Sequence, residues 1–222
     1  MKTLKNFGMM MLAMTMAFSM VSCGSDDKDE GNTGTKDTRL SSVVPTEYRN
    51  QLERYIEIYD GVNPPNVEGV YLSSPTVLVY TSDGVYEPGH KFADKYYKFE
   101  NQNMSTNTID YQAKQSTTTQ NGSGAFISGD GNNFTIFFNA YGQDGEITTK
   151  TALVVSGTKT SEGIRNLKYA FVMLDKYDPN DKKMDIGTYR VIKDGDGLSE
   201  PTTWPYSSAP AFEFDMDDMG WN

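Results

Sequence analysis

Hydrophobic side chains recur at helical spacing in one segment near the start of the chain, from Pro45 to about Ile58. A proline suits the first position of a helix because that position needs no amide hydrogen, and Glu47 suits the positive end of the helix dipole. The opposite face of the segment is polar. The pattern predicts one amphipathic helix that lies against a sheet. Its apolar stripe consists of Tyr48, Leu52, Tyr55, Ile56 and Tyr59.

After the consecutive prolines Pro64 and Pro65, the pattern changes to short runs rich in β-branched and aromatic residues. Short turn sequences such as Asp130-Gly131-Asn132 separate the runs and favour antiparallel neighbours. None of these connections is long enough for the crossover that parallel strands need. The chain is therefore predicted to be mostly β, with an antiparallel up-and-down meander. Eight strands are predicted, the first with a break at Ser73-Ser74-Pro75. They lie at about 68–82, 92–102, 108–118, 124–129, 133–141, 147–158, 166–177 and 186–193.

Three neighbouring strands of this meander carry apolar side chains on both faces. In the first of them, Phe134 and Phe138 alternate with Phe137, and the two strands that follow show the same pattern. A strand of this kind is buried on both sides. One face of the sheet is therefore expected to be covered from outside, by the helix stripe around Leu52.

Eight antiparallel strands preceded by one helix resemble the calycin barrels, in which the sheet closes on itself. The stretch Gly69-Val70-Tyr71 resembles the Gly-x-Trp motif of the lipocalins, with Tyr71 in place of the tryptophan. In that family an arginine near the last strand packs over this ring, and the resemblance assigns that role to Arg190. The resemblance covers about residues 69–193 and implies a lipocalin-like eight-stranded barrel. A β-sandwich is the alternative architecture.

The interior of such a barrel is the first candidate for a binding site. An eight-stranded barrel either fills its interior with its own side chains or holds one small ligand. The predicted function is accordingly the binding of a small apolar or amphipathic ligand, which the sequence does not identify. The predicted ligand-binding residues are Tyr71, Phe134, Phe138, Tyr169 and Phe171.

The first residues have the organisation of a signal peptide. Lys2 and Lys5 precede an uncharged apolar run at 7–21, which is shorter than the roughly 20 residues that a membrane-spanning helix needs. The stretch Met20-Val21-Ser22-Cys23 resembles a lipobox, the site at which a lipoprotein signal peptide is cleaved. The resemblance implies cleavage before Cys23, the single cysteine of the chain, and a lipid anchor on its thiol.

The segment behind this cysteine is polar and acidic. It resembles the export signal with which Bacteroidota send lipoproteins to the extracellular face of the outer membrane; the periplasmic face is the alternative. The whole chain resembles small lipoproteins of gut Bacteroidota that carry lipocalin-like domains. The predicted organisation is a signal peptide over 1–22, a flexible acidic tether over 23–40 and a single β-rich domain over 41–222.

Charge and composition exclude several partners and reactions. Without Lys2 and Lys5 of the signal peptide, the chain has 18 basic and 30 acidic residues, a formal charge of −12 that repels nucleic acid. His90 is the only histidine, so metal sites with two histidine ligands are excluded, and no nucleophile motif accompanies it. We expect a non-catalytic protein that uses no metal and no other cofactor.

An aromatic segment without regular periodicity ends the chain, at 198–222. Large rings are usually at least partly buried, which favours a tail that packs on the domain. The alternative is that exposed rings, Trp204 above all, stack on sugars, and the protein is then a glycan-binding β-sandwich that assists polysaccharide capture. A third hypothesis is a structural or interaction lipoprotein without a small ligand.

Overall fold

The computed structural model describes residues 37–116 and 118–205, without the side chains of Gln143 and Asp144. Two short helices open this part of the chain, α1 at Leu40–Val43 and α2 at Thr46–Leu52. The prediction of a mostly β chain is confirmed, because twelve strands follow within the described residues. They are β1 Val62–Asn63, β2 Gly69–Ser73, β3 Thr76–Thr81, β4 Lys91–Phe92, β5 Lys95–Asn103, β6 Thr108–Gln115, β7 Thr118–Asp130, β8 Asn133–Asp144, β9 Ile147–Lys159, β10 Ile164–Tyr177, β11 Tyr189–Asp194 and β12 Leu198–Pro201.

The strands form one sheet in which neighbours are antiparallel, apart from a short parallel contact of β1 with β7. The strands from β5 to β10 pair in chain order, so the predicted meander is confirmed. β12 pairs with β2 and also with β10. Pairing therefore runs in a closed ring of eight strands, β2, β5, β6, β7, β8, β9, β10 and β12. β11, β3 and β4 continue the sheet from β10 and are not members of the ring.

The strands at the two ends of the predicted meander differ in the structure. The break predicted at Ser73-Ser74-Pro75 is confirmed, and it divides the first, 68–82, into β2 and β3, which have different partners. Proline interrupts a strand because it cannot donate a ladder hydrogen bond. The last, 186–193, corresponds to β11, which pairs with β10 and β3. The strand that closes the ring is β12, in the segment predicted as an irregular tail.

The helix predicted over 45–58 is shorter in the structure. α2 ends at Leu52, and the Tyr55 amide bonds the Leu52 carbonyl, three residues back, at 2.8 Å, which tightens the next turn. Ile56 nonetheless stays buried on the same side of the sheet. α1 is too short to produce a periodic pattern, and the sequence does not predict it. The helices of the described residues are α1 and α2, and neither is long and apolar enough to span a membrane.

Residues 37–40, the last four of the predicted tether, are the first residues that the structure describes. The Arg39 guanidinium bonds the Asp37 carboxylate at 2.6 Å and the Thr106 carbonyl at 2.8 Å. It also lies 4.7 Å from the centre of the Phe126 ring. Asp37 and Leu40 are buried. These contacts hold residues 37–40 against β7 and the turn between β5 and β6.

Buried side chains form two clusters on opposite faces of the sheet, and the consecutive residues Phe137 and Phe138 belong to different ones. The outer cluster contains the stripe around Leu52, so the prediction that the helical segment covers one face of the sheet is confirmed. Large members of the inner cluster are Tyr97, Phe99, Tyr111, Phe134, Tyr169 and Phe171. Members of the outer cluster include Leu40, Leu52, Ile56, Phe137, Val154 and Val172.

Arg190, in β11, contacts a different ring from the one predicted. Its guanidinium lies 5.2 Å from the centre of the Tyr86 ring and bonds the Asp83 carboxylate at 2.8 Å. The side chain over the Tyr71 ring is that of Lys159, at 5.4 Å. The predicted packing of Arg190 over Tyr71 is therefore wrong, because β2 has β12 and β5 as neighbours while β11 lies beyond β10.

Candidate functional site

One end of the inner face carries a row of buried polar side chains. Strand register places Ser73, Lys95, Gln115 and Thr118 side by side on β2, β5, β6 and β7. None of the four is more than 2% exposed. Polar groups are rarely buried without a structural or functional reason, because leaving water costs free energy. This polar row is the first feature of the candidate site.

The same four strands form a second and a third row of paired residues, in which the inward side chains become increasingly apolar. In the third row Gly122 has no side chain, and the Phe138 ring occupies that space, since a Cβ there would lie 2.6 Å from Phe138 Cε2. The Phe138 ring also lies 4.9 Å from that of Tyr111. The inner face is thus polar at one end and aromatic beyond it. The second row consists of Tyr71, Tyr97, Ala113 and Gln120, and the third of Gly69, Phe99, Tyr111 and Gly122.

Lys95 is the centre of a polar group that connects these rows across the interior. Its Nζ lies 3.2 Å from Gln120 Oε1 and 3.7 Å from the centre of the Tyr169 ring. Gln120 Nε2 donates to the Tyr169 hydroxyl at 3.0 Å. Burial lowers the pKa of the Lys95 ammonium from 10.5 to about 7. The ammonium therefore changes its charge within the physiological pH range.

The phenol groups around Lys95 stay protonated at neutral pH. Burial raises the pKa of Tyr111, Tyr169 and Tyr97, and for Tyr97 the neighbouring Tyr169 and the negative charge of Asp194 raise it further. A protonated phenol donates one hydrogen bond and accepts others. Chemically, the group can hold a hydrogen-bond acceptor or a negative charge while its aromatic faces contact apolar atoms.

The five predicted ligand-binding residues all belong to the inner cluster. Phe134 and Phe171 have no exposed surface, Tyr169 is 1% exposed, and Tyr71 and Phe138 are 3% and 6% exposed. The structure thus brings the five together, and their role in binding a ligand stays a prediction. Four neighbours of this set were not predicted from the sequence, although they alternate with outward-facing residues as inward-facing positions do. These are Lys95, Tyr97, Tyr111 and Gln120.

Trp204 lies near Lys98, which lines a depression on the outer face of β5, β6 and β7. It is half-buried, with the Lys98 ammonium 5.9 Å from the ring centre. Pro205 follows it, and its carbonyl accepts a hydrogen bond from Lys114 at 3.2 Å. The depression has a volume of about 250 Å³, and its lining includes Lys98, Glu100, Asp110, Gln112, Asn121 and Ser123. Glycan stacking on Trp204 stays a prediction, and the proposed lipid site, Cys23, lies outside the described residues.

The single histidine is part of an aromatic contact. His90 is exposed, and its ring lies 4.5 Å from Tyr86 and 4.8 Å from Phe92, centre to centre. Among residues 37–116 and 118–205, no group of three histidine, cysteine, aspartate or glutamate side chains is arranged to hold a metal ion.

Comparisons with known protein families, with curated proteins and with solved structures found no match to this chain. The functional proposal therefore rests on the fold and on the residues inside it.

Proposed function

We propose that this protein is a lipid-anchored lipoprotein on the extracellular face of the outer membrane, with a calycin-like barrel that binds one small amphipathic ligand in its interior. It acts by binding and not by catalysis. The anchor is the acylated Cys23, and the ligand site lies among the inner rows around Lys95.

The strand pairing supports a barrel in preference to a β-sandwich. A sandwich has two sheets whose edge strands are unpaired on one side. In this chain, pairing passes through all eight strands of the ring, and β12 joins β2 to β10. The inward-facing side chains of those strands form one cluster.

The buried position of Lys95 is the observation that carries the binding proposal. A charged group loses several kcal/mol of hydration on burial, and an apolar side chain of similar size packs there without that loss. A buried titratable group whose pKa is strongly shifted, and which lies among aromatic side chains, is typical of a functional site. The Lys95 ammonium can bind the hydrogen-bond acceptor or the anionic end of a ligand whose apolar part lies along Phe99, Phe134 and Phe138.

The tight packing of the inner cluster limits the ligand to a small molecule. Phe99, Phe134 and Phe171 have no exposed surface at all. A ligand therefore enters by displacing aromatic side chains, because close-packed interiors have few voids. We expect slow association and a change in the near-ultraviolet circular dichroism of the buried tyrosines.

Decanoate tests the interior site, with decanol as the uncharged comparison. Calorimetric titration of the full-length lipoprotein in detergent should show decanoate binding more tightly than decanol. Lys95→Met should weaken decanoate binding by about tenfold or more, the loss of one charge-assisted hydrogen bond. Binding by the unchanged protein should be tighter at pH 6 than at pH 9, because Lys95 is protonated below its pKa of about 7.

Lys182→Met is the matched control, because Lys182 is exposed and the same charge is removed. It should leave decanoate affinity unchanged. Equal loss in both variants would point to a long-range effect of net charge and would count against the interior site. Failure of both probes to bind, with no change in circular dichroism, would refute it.

The anchor has a separate test. Cys23→Ala should move the protein from the detergent-rich phase to the aqueous phase in detergent partitioning, and it should remove the acyl mass from the N-terminal peptide. Protease added to intact cells should digest the unchanged protein if it lies on the extracellular face, whereas protection until the outer membrane is opened would place it on the periplasmic face. Retention of Cys23→Ala in the detergent phase would contradict lipidation.

A further inference from the structure

Two strongly exposed tyrosines stand on the sheet away from the interior site. Tyr141, near the end of β8, is 76% exposed, and Tyr177, at the end of β10, is 60% exposed. Together they border a depression of about 490 Å³. Isolated exposed aromatics are unremarkable, but two rings at one concave surface indicate a contact site.

Strand register places both tyrosines on one face of the sheet. Tyr141 pairs with Lys150 of β9, which pairs with Asp175 of β10. Thr148, two residues before Lys150, pairs with Tyr177. Directly paired residues project to the same side of a sheet, as do residues two apart in a strand. The two tyrosines are therefore two strands apart across the sheet and two residues apart along the strands. Their Cα atoms are separated by roughly 12 Å.

This face is the continuation of the one that the helices cover. Phe137, four residues before Tyr141 and on the same side of β8, is completely buried in the outer cluster under α1 and α2. The strands extend beyond that cover, and their outward face then carries the two tyrosines, Thr148, Lys150 and Asp175. We call this set the Tyr141–Tyr177 surface.

The composition of this surface favours a sugar over a protein as its occupant. Stable protein interfaces bury about 800 Å² on each partner, with a contiguous apolar centre. Here two separate rings flank a hydroxyl, an amine and a carboxylate. A pyranose has an apolar face of C–H groups that stacks on an aromatic ring and an edge of hydroxyls that bonds polar side chains. The separation of the rings exceeds the width of one pyranose, so an oligosaccharide is needed to reach both.

Charge narrows the class of glycan further. Lys150 and Asp175 have opposite signs and are direct cross-strand neighbours. Lys176 also borders the depression, and its ammonium pairs with the Asp181 carboxylate at 2.6 Å, so these groups add no net charge to the surface. The whole chain has a formal charge of −10. That field repels polyanionic glycans that contain uronate or sulfate. We propose that the Tyr141–Tyr177 surface binds a neutral oligosaccharide or polysaccharide, with the two tyrosine rings stacked on separate sugar units.

This site is independent of the proposed interior site, because it lies on the opposite face of the sheet. It also differs from the glycan site predicted at Trp204. The Trp204 ring is half-buried and sits close to Lys98, whereas the rings of Tyr141 and Tyr177 are open to solvent.

Affinity electrophoresis of the detergent-solubilised full-length protein tests the proposal. The gels contain xylan, glucomannan or starch as neutral polysaccharides, or polygalacturonate as the acidic comparison. At least one neutral polysaccharide should retard the protein, and polygalacturonate should not. Tyr141→Ala and Tyr177→Ala should each weaken binding about three- to tenfold, as expected for the loss of one stacking ring. Tyr141→Phe should retain it.

Two control variants make the result specific. Met104→Ala removes another exposed apolar side chain, 51% exposed, and should leave retardation unchanged. Trp204→Ala should also leave it unchanged. Loss of binding in Trp204→Ala, with retention in both tyrosine variants, would overturn the proposal in favour of the Trp204 surface. Absence of retardation in all neutral gels would overturn it as well. So would sedimentation showing self-association that depends on Tyr141, without any glycan binding.

Discussion

Alanine substitution of Phe137 and, separately, of its neighbour Phe138 is expected to lower the free energy of unfolding by about 3–5 kcal/mol in each case. The two side chains leave β8 on opposite faces. Phe137 has no exposed surface in the outer cluster, and Phe138 is 6% exposed in the inner one. Truncation of either ring removes buried apolar contacts and leaves a cavity, so both losses should be large.

Denaturant unfolding monitored by circular dichroism measures both changes. Tyr141→Ala is the control on the same strand, because that ring is 76% exposed; it should change stability by less than about 0.5 kcal/mol. If the sheet had one solvated face, as most antiparallel sheets do, one of the two phenylalanine variants would resemble the control. A loss below about 1 kcal/mol for Phe137→Ala would therefore contradict the covered outer face.

Replacing Lys95 by methionine is expected to raise the free energy of unfolding at pH 7 by about 1–4 kcal/mol while abolishing the preference for anionic ligands. The ammonium is 1% exposed, so folding removes it from water, and methionine fills a similar volume without that penalty. A gain in stability together with a loss of binding is the signature of a residue that is retained for function.

The pH dependence of this difference checks its cause. The pKa of Lys95 is about 7 in the folded chain and 10.5 in the unfolded one. Between these values the unfolded chain binds a proton that the folded chain does not, so the stability of the unchanged protein rises with pH, by up to about 1.4 kcal/mol per pH unit. Below pH 7 both states are protonated and the penalty is complete. The advantage of Lys95→Met should therefore be largest at and below pH 7 and small at pH 10.

The buried tyrosines also titrate, but they are present in both Lys95→Met and the unchanged protein. Their contribution therefore cancels in the difference between the two free energies of unfolding. Lys182→Met, at an exposed position, should show no such trend. An advantage of Lys95→Met that does not change between pH 6 and pH 10 would show that the buried charge is not its source. A destabilised Lys95→Met would show that the contacts with Gln120 and Tyr169 outweigh the lost hydration.

The candidate site was only partly accessible from the sequence. Tyr71, Phe134, Phe138, Tyr169 and Phe171 could be assigned to one side of the sheet because apolar residues two apart share a face. Lys95 has the same parity as Tyr97 in the alternation of β5, but lysine in a strand ordinarily points to water, so the sequence leaves open whether Lys95 points inward. That orientation becomes evident only from its partners on other strands, which pattern analysis of a single strand cannot include.

The sequence by itself determined the local structure: the mostly β content, the antiparallel meander from β5 to β10, and the burial of three strands on both faces. These depend on side-chain periodicity and short turns, which act over a few residues. The tertiary structure decided that β12 and not β11 closes the ring, that Arg190 packs on Tyr86, and that Tyr141 and Tyr177 extend beyond the helical cover. Such pairings join residues far apart in the chain, and their relative free energies depend on the packing of the whole domain.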